Sequence, residues 1–145
     1  MERRRPRHPP ARPLVLIVDG HEEATGLYGA ALASFGFEVA TADHGELAFE
    51  RAWEARPDII VTEASLPHPD VWSLVDNLKG NPRTRDIPVV VLTEHAASSL
   101  RERAEHDGCA TVLATPCPPQ QLAHDLRDLL DRLPQYEHVS ARRSG

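Results

Sequence analysis

The sequence predicts a doubly wound α/β domain, a parallel β-sheet with helices on both faces. Three observations predict it. Five short apolar runs punctuate the chain, all rich in β-branched residues, as strands are. Between them lie segments whose apolar residues recur at helical spacing. Three of the runs are apolar throughout, the mark of central parallel strands covered on both faces. Strict alternation of strand and helix builds a parallel sheet, and right-handed crossovers restrict its topology.

The first strand is expected at Leu14–Val18 (LVLIV). Ala24, Leu27, Tyr28, Ala31, Leu32 and Phe35 then mark a helix that stops at Gly36, a C′ glycine. The second strand, Phe37–Thr41 (FEVAT), alternates apolar and polar residues and suits a sheet edge. Leu47, Ala48, Ala52 and Ala55 mark a second helix that ends before Pro57. The third strand is Ile59–Thr62 (IIVT). Val71, Leu74, Val75 and Leu78 mark a third helix, stopped by Gly80 and Pro82. The fourth strand is Val89–Leu92 (VVVL). A weak, polar fourth helix follows through Ala97, Leu100 and Ala104 to Gly108. Thr111–Ala114 (TVLA) is the fifth strand, and Leu122, Leu126, Leu129, Leu130 and Leu133 mark a strong fifth helix.

These elements set the domain limits. Residues 14–133 form the folded unit, 1–13 a basic Pro/Arg-rich arm read as disordered, and 134–145 a flexible tail too short to fold alone. The arm carries five Arg and one Glu, against a net charge of −6 for the chain. The folded unit is therefore strongly acidic, which argues against nucleic-acid binding outside the arm. No apolar run approaches the ~20 residues of a membrane span, so no membrane partner is expected and a cytoplasmic location is the default. Cys109 and Cys117 form no CxxC pair and are expected to be free and packed. The eight His are scattered without metal-ligand spacing.

In such folds functional groups gather at the carboxyl ends of the strands. Asp19, Glu63, Thr93 and Thr115 each follow an apolar run directly and are the candidates. The chain shows no nucleophile elbow, phosphate-binding Gly loop or Ser–His–Asp pattern, so no enzymatic activity is expected.

Four segments, in order, carry a resemblance. VLIVDGHEE (Val15–Glu23) is similar to the first strand and acidic pair of bacterial response-regulator receiver domains. PDIIVTEASLP (Pro57–Pro67) resembles the strand and loop that deliver the phosphoacceptor Asp. GNPRTRDIPVVVLT (Gly80–Thr93) resembles the approach to the fourth strand and its Thr or Ser. GCATVLATPC (Gly108–Cys117) resembles the fifth strand and its Lys-Pro. The match spans Leu14 to Leu133. It implies the flavodoxin-like (βα)5 receiver fold with strand order 2-1-3-4-5, and a cis bond before Pro116.

The departures from the family pattern concern the phosphorylation pocket. Asp19 matches the first acid of the pair, but Gly20 stands where the second is expected. Glu63 stands at the acceptor position, Thr93 matches the switch hydroxyl, and Thr115 stands where the Lys is expected. Val112 replaces the switch aromatic, and Val71 stands where the third helix often opens with Gly. In this chemistry a divalent ion and the Lys neutralise the phosphoryl oxygens. Gly20 removes one metal ligand, so Asp19 and Glu63 are expected to hold magnesium weakly or not at all. The extra methylene of Glu63 displaces its carboxylate by roughly 1.5 Å, and a misplacement of about 1 Å can cost ~100-fold.

Three residue roles stay open at this point. Glu63 either faces solvent or reaches into the phosphoryl space and imitates an activated state. Asp19 either belongs to a metal site or bonds local backbone N–H groups. Thr93 is either an ordinary strand-end threonine or a partner for Glu63. The resemblance implies an atypical, stand-alone pseudo-receiver of two-component signalling that docks a protein such as a histidine kinase or another regulator. The docking face would be the fourth helix, fifth strand and fifth helix, with Val112, Ser98, Ser99, Arg101 and Glu102, and the same face would serve a homodimer. The alternative is a working phospho-accepting receiver in a phosphorelay.

Overall fold

A computed structural model describes residues 12–66, 70–95 and 97–133. Most of the arm and all of the tail lie outside them, as do residues 67–69 and 96, which interrupt the loop before the third helix and the proposed docking face. The elements alternate as β1 (Leu14–Val18), α1 (Glu22–Ser34), β2 (Glu38–Ala42), α2 (Gly45–Ala55), β3 (Ile59–Glu63), α3 (Val71–Lys79), β4 (Val89–Thr93), α4 (Ser98–His106), β5 (Thr111–Ala114) and α5 (Pro119–Arg132). All strand pairs are parallel, in the order β2-β1-β3-β4-β5.

The alternating side chains of the inner strands build two cores, because a strand's period is two. Leu16, Val18, Ile60, Val89 and Val91 pack with Ala48, Leu74, Leu78 and Ala104 on the face of α2, α3 and α4. Val15, Ile17, Ile59, Val61 and Val90 pack with Leu32, Phe37, Leu122, Leu126 and Leu130 on the face of α1 and α5. Full burial on both sides is why β1, β3 and β4 read as unbroken apolar runs.

β2 lies one residue later than expected. Phe37 is fully buried, and its N–H bonds the Leu32 carbonyl at 3.1 Å, closing the end of α1. That bond commits Phe37 to the helix exit, and pairing with β1 begins at Glu38. β3 and β4 run one residue beyond the apolar stretches, so Glu63 and Thr93 are terminal strand residues. Asp70 caps α3 by accepting from the Ser73 N–H at 2.8 Å. Cys109 and Cys117 are free thiols, half-buried and buried.

Tertiary polar contacts fix the helices. The Tyr28 hydroxyl on α1 donates to the Cys117 carbonyl at 2.8 Å. The Arg127 guanidinium lies over the Phe37 ring, 4.7 Å from its centroid, and joins α5 to the turn after α1. Arg103 of α4 sits 5.1 Å from the Trp72 centroid of α3. The buried Thr84 hydroxyl donates to the Leu78 carbonyl at 2.7 Å, anchoring the loop into β4.

Two substitutions test this framework by urea unfolding. Leu126→Ala, at a fully buried site on α5, is expected to cost about 2–5 kcal/mol. Gly36→Ala is expected to cost about 1–2 kcal/mol, since a Cβ resists the left-handed backbone there. Its φ is +95°, and the added carbon would stand 2.9 Å from Arg127 Nη2.

Candidate phosphorylation pocket

Parallel strands end at one edge, so the candidate residues converge there. β1 and β3 are neighbours, with Val18 opposite Thr62. Asp19, just past the end of β1, and Glu63, the last residue of β3, therefore stand side by side. β4 adds Thr93, and the Thr115 N–H extends the β5 pairing by donating to the Thr93 carbonyl at 2.8 Å. The Thr115–Pro116 bond is cis.

Glu63 is not a solvent-facing acid. Its side chain is 12% exposed. Its Oε2 accepts from the Gly20 N–H at 3.0 Å, and its Oε1 accepts from the Ser65 hydroxyl at 3.3 Å. The carboxylate thus lies back against the end of β1. Asp19 accepts from local backbone: its Oδ1 takes the His21 N–H at 2.7 Å. The same oxygen stands 3.0 Å from His21 Nδ1, and Glu63 Oε2 stands 3.4 Å from that nitrogen. The Thr25 hydroxyl donates to the His21 carbonyl at 3.0 Å, which fixes the turn into α1.

These contacts shift two pKa values upward. Partial burial raises Glu63 above the ordinary glutamate range, and the neighbouring Asp19 carboxylate adds to the effect. The Gly20 N–H and His21 act in the opposite sense. His21 is raised above 6.5, first by its hydrogen bond to Asp19, then by the charges of Glu63 and Asp19. When protonated, the imidazole is placed to act as a counter-cation to the carboxylate pair.

Thr93 does not join Glu63. Its Oγ1 accepts from the His95 N–H at 3.1 Å, as a strand-end threonine does. Thr115 brings no charge to the pocket. On the proposed docking face Ser98, Ser99, Arg101 and Glu102 are exposed, but Val112 is only 6% exposed. Val112 is therefore a packing residue beneath that face and not a contact on it. Arg101 Nη1 donates to its carbonyl at 3.1 Å, so α4 is tied to β5 at this residue.

The donors do not fit the magnesium site that the resemblance implies. Magnesium requires oxygen ligands in near-ideal octahedral array. Gly20 offers no carboxylate, and its N–H is used to hold Glu63. The third side chain of the cluster is a nitrogen donor, His21, which sequence spacing missed. It lies two residues from Asp19 but 42 from Glu63, so only the β1–β3 pairing brings the three together. The signal available was its place in DGH, directly after the missing acid.

The geometry predicts a titration result. In chelator-treated protein, NMR should show His21 titrating above 6.5, and Asp19→Asn should bring it back toward that value. Raised folded-state pKa values at both His21 and Glu63 mean that the folded pocket holds protons more tightly than the unfolded chain. Their contribution to stability is present below the unfolded values and is lost as pH rises through the folded ones. Asp19→Asn should flatten this part of the pH dependence.

The fold agrees with comparisons to known proteins. The family model "Response regulator receiver domain" matches residues 15–127. The response regulator PleD of Caulobacter vibrioides is 33% identical over 137 residues, covering 90% of this chain and 30% of PleD. The polar-differentiation response regulator DivK of Brucella anthropi is 27% identical, covering 80% of this chain and 94% of DivK. The chain thus spans under a third of the first relative and nearly all of the second. A crystal structure of a putative response regulator from Chloroflexus aurantiacus superposes with a TM-score of 0.77 at 27% identity, over 83% of this chain and 99% of that one. Among the described residues no helix is long and apolar enough to cross a membrane. Strand order, strand-end acids and a family match across both cores lead to one assignment: the chain belongs to the response regulator receiver domain family of two-component signalling.

Proposed function

We propose that this receiver domain is an atypical, phosphorylation-independent protein-interaction module. The observation that carries the reading is the state of Glu63. Both its oxygens are engaged, by the Gly20 N–H and by the Ser65 hydroxyl, and the carboxylate is directed along the pocket edge toward His21. An acceptor must present an oxygen in line with the phosphoryl donor, and a positioned reaction tolerates little misplacement. Gly20 and Thr115 supply neither the second acid nor the cation that would stabilise the transferred charge. Thr93 is bonded to His95 rather than free to follow a phosphoryl oxygen.

The partner in this reading is a protein of the same signalling system, a histidine kinase or another regulator, met in the cytoplasm. The module needs no catalysis and no resident cofactor. Contact is made by α4, β5 and α5. The face stays fixed, because a two-state switch requires a ligand with different affinity for the two states, and Val112 is a small, β-branched, buried residue with few rotamers. Exposed Ser98, Ser99, Arg101 and Glu102 give α4 its specificity. The same face would serve a homodimer. The reading holds whether the output is carried on the same polypeptide or on the partner.

Intact-mass spectrometry after incubation with magnesium and acetyl phosphate tests the central claim. The wild-type chain should gain no phosphate, and Glu63→Asp alone should not restore transfer. Gly20→Asp, Glu63→Asp and Thr115→Lys together should. A hydroxylamine-labile phosphate on the wild type would show instead a working phospho-accepting receiver.

The docking face has its own test. Chemical-shift perturbation by a bound partner should map to α4, β5 and α5 and should not change with phosphodonor. Glu102→Lys should weaken that binding about tenfold, or roughly 1.4 kcal/mol, without lowering the urea midpoint. A footprint on α1 would overturn the surface assignment.

A further inference from the structure

We propose that Asp19, His21 and Glu63 form a three-ligand site for a divalent first-row transition ion of the zinc type, in the place where magnesium is expected. This goes beyond the docking reading and does not depend on it, since a fixed face needs no metal.

The donor atoms are already gathered. One oxygen of each carboxylate and one imidazole nitrogen lie within 4.8 Å of one another. Ligands about 2.0–2.2 Å from a tetrahedral ion stand roughly 3.3–3.6 Å apart. His21 Nδ1 is 3.4 Å from Glu63 Oε2 and 3.0 Å from Asp19 Oδ1. Both imidazole–carboxylate separations thus stand close to those of a tetrahedral site.

The ligands are also oriented from outside the cluster. The Gly20 N–H and the Ser65 hydroxyl hold the Glu63 carboxylate, and the His21 N–H holds Asp19. Such supporting bonds are what position metal ligands. The His21 side chain is 79% exposed while the two acids are 14% and 12% exposed. The site is thus open on the imidazole side, where water completes the coordination.

The donor chemistry selects the ion. An imidazole with two carboxylates suits zinc and its neighbours, whereas an all-oxygen set suits magnesium. Two enclosed carboxylates side by side call for a positive charge, which a divalent ion supplies more fully than an imidazolium. Elsewhere among the described residues, His44 with Asp43 and His106 with Asp107 make exposed pairs. Neither belongs to a three-donor group.

The test is titration of the chelator-treated full chain with Zn2+ and, separately, Mg2+, by calorimetry, with NMR following every His ring. One Zn2+ should bind at least about a hundredfold more tightly than Mg2+, with the largest ring shifts at His21. His21→Ala and Glu63→Gln should each weaken Zn2+ binding about 10–100-fold. Both variants should keep the wild-type amide spectrum away from the pocket. Equal Zn2+ and Mg2+ affinity, or wild-type Zn2+ affinity in either folded variant, would overturn the site. Zn2+ shifts centred on His44 or His106 would do the same. Phosphodonor assays report on the docking reading alone, so the two can fail separately.

Discussion

The structure depends on one constraint: β1, β3 and β4 must be covered on both faces at once. Their side chains are apolar except toward the carboxyl ends of β3 and β4 and nearly all buried, and a parallel sheet has no solvated side to spare. Each strand must therefore be followed by a helix that crosses back over one face or the other. That demand aligns the strands, divides the helices between two cores, and leaves every strand's carboxyl end at a single rim. The polar residues that end the runs have no other place to go. Asp19, Glu63 and Thr93 are at the pocket because the apolar segments before them are in the sheet.

What the rim does chemically is decided by a local balance of charge. Two carboxylates on adjacent strands repel, and partial burial sharpens the repulsion. The receiver pattern answers it with a metal ion and a lysine. This chain has Gly20 and Thr115 at those positions, and the compensation falls to backbone N–H groups and to His21. In the function proposed above, the pocket is an altered electrostatic solution on the family's scaffold. Fold and chemistry can diverge in this way because the scaffold's stability lies in the two cores, and no residue of either core is a pocket acid.

Much of this was legible in the sequence. Runs such as LVLIV and VVVL announce buried strands, Gly36 announces a helix end, and the acids directly after the runs announce the site. Other features were not legible, for identifiable reasons. Phe37 reads as strand but is held at the helix exit by a backbone bond to Leu32 five residues back, a helix-end contact that the apolar pattern does not reveal. The direction of the Glu63 side chain depends on the Gly20 N–H across a strand pair, and a one-dimensional pattern carries no such information. His21 reads as isolated because spacing along the chain does not show that sheet pairing brings Glu63 beside Asp19 and His21. Val112 reads as a residue of β5, but its burial beneath the proposed docking face follows from packing that the sequence pattern does not show.

The tie between Arg101 and the Val112 carbonyl bears on a different matter, the behaviour of an open sheet. β5 is an outer strand, and such strands expose backbone groups that can template pairing with another chain. Here the strand is only four residues long, a guanidinium from α4 occupies one of its carbonyls, and Pro116 follows with no N–H to offer. A neighbouring molecule meets side chains at this flank instead of a free ladder. The sheet is thereby protected from edge-to-edge growth, and association on this side must be read out by surface chemistry rather than by added strands.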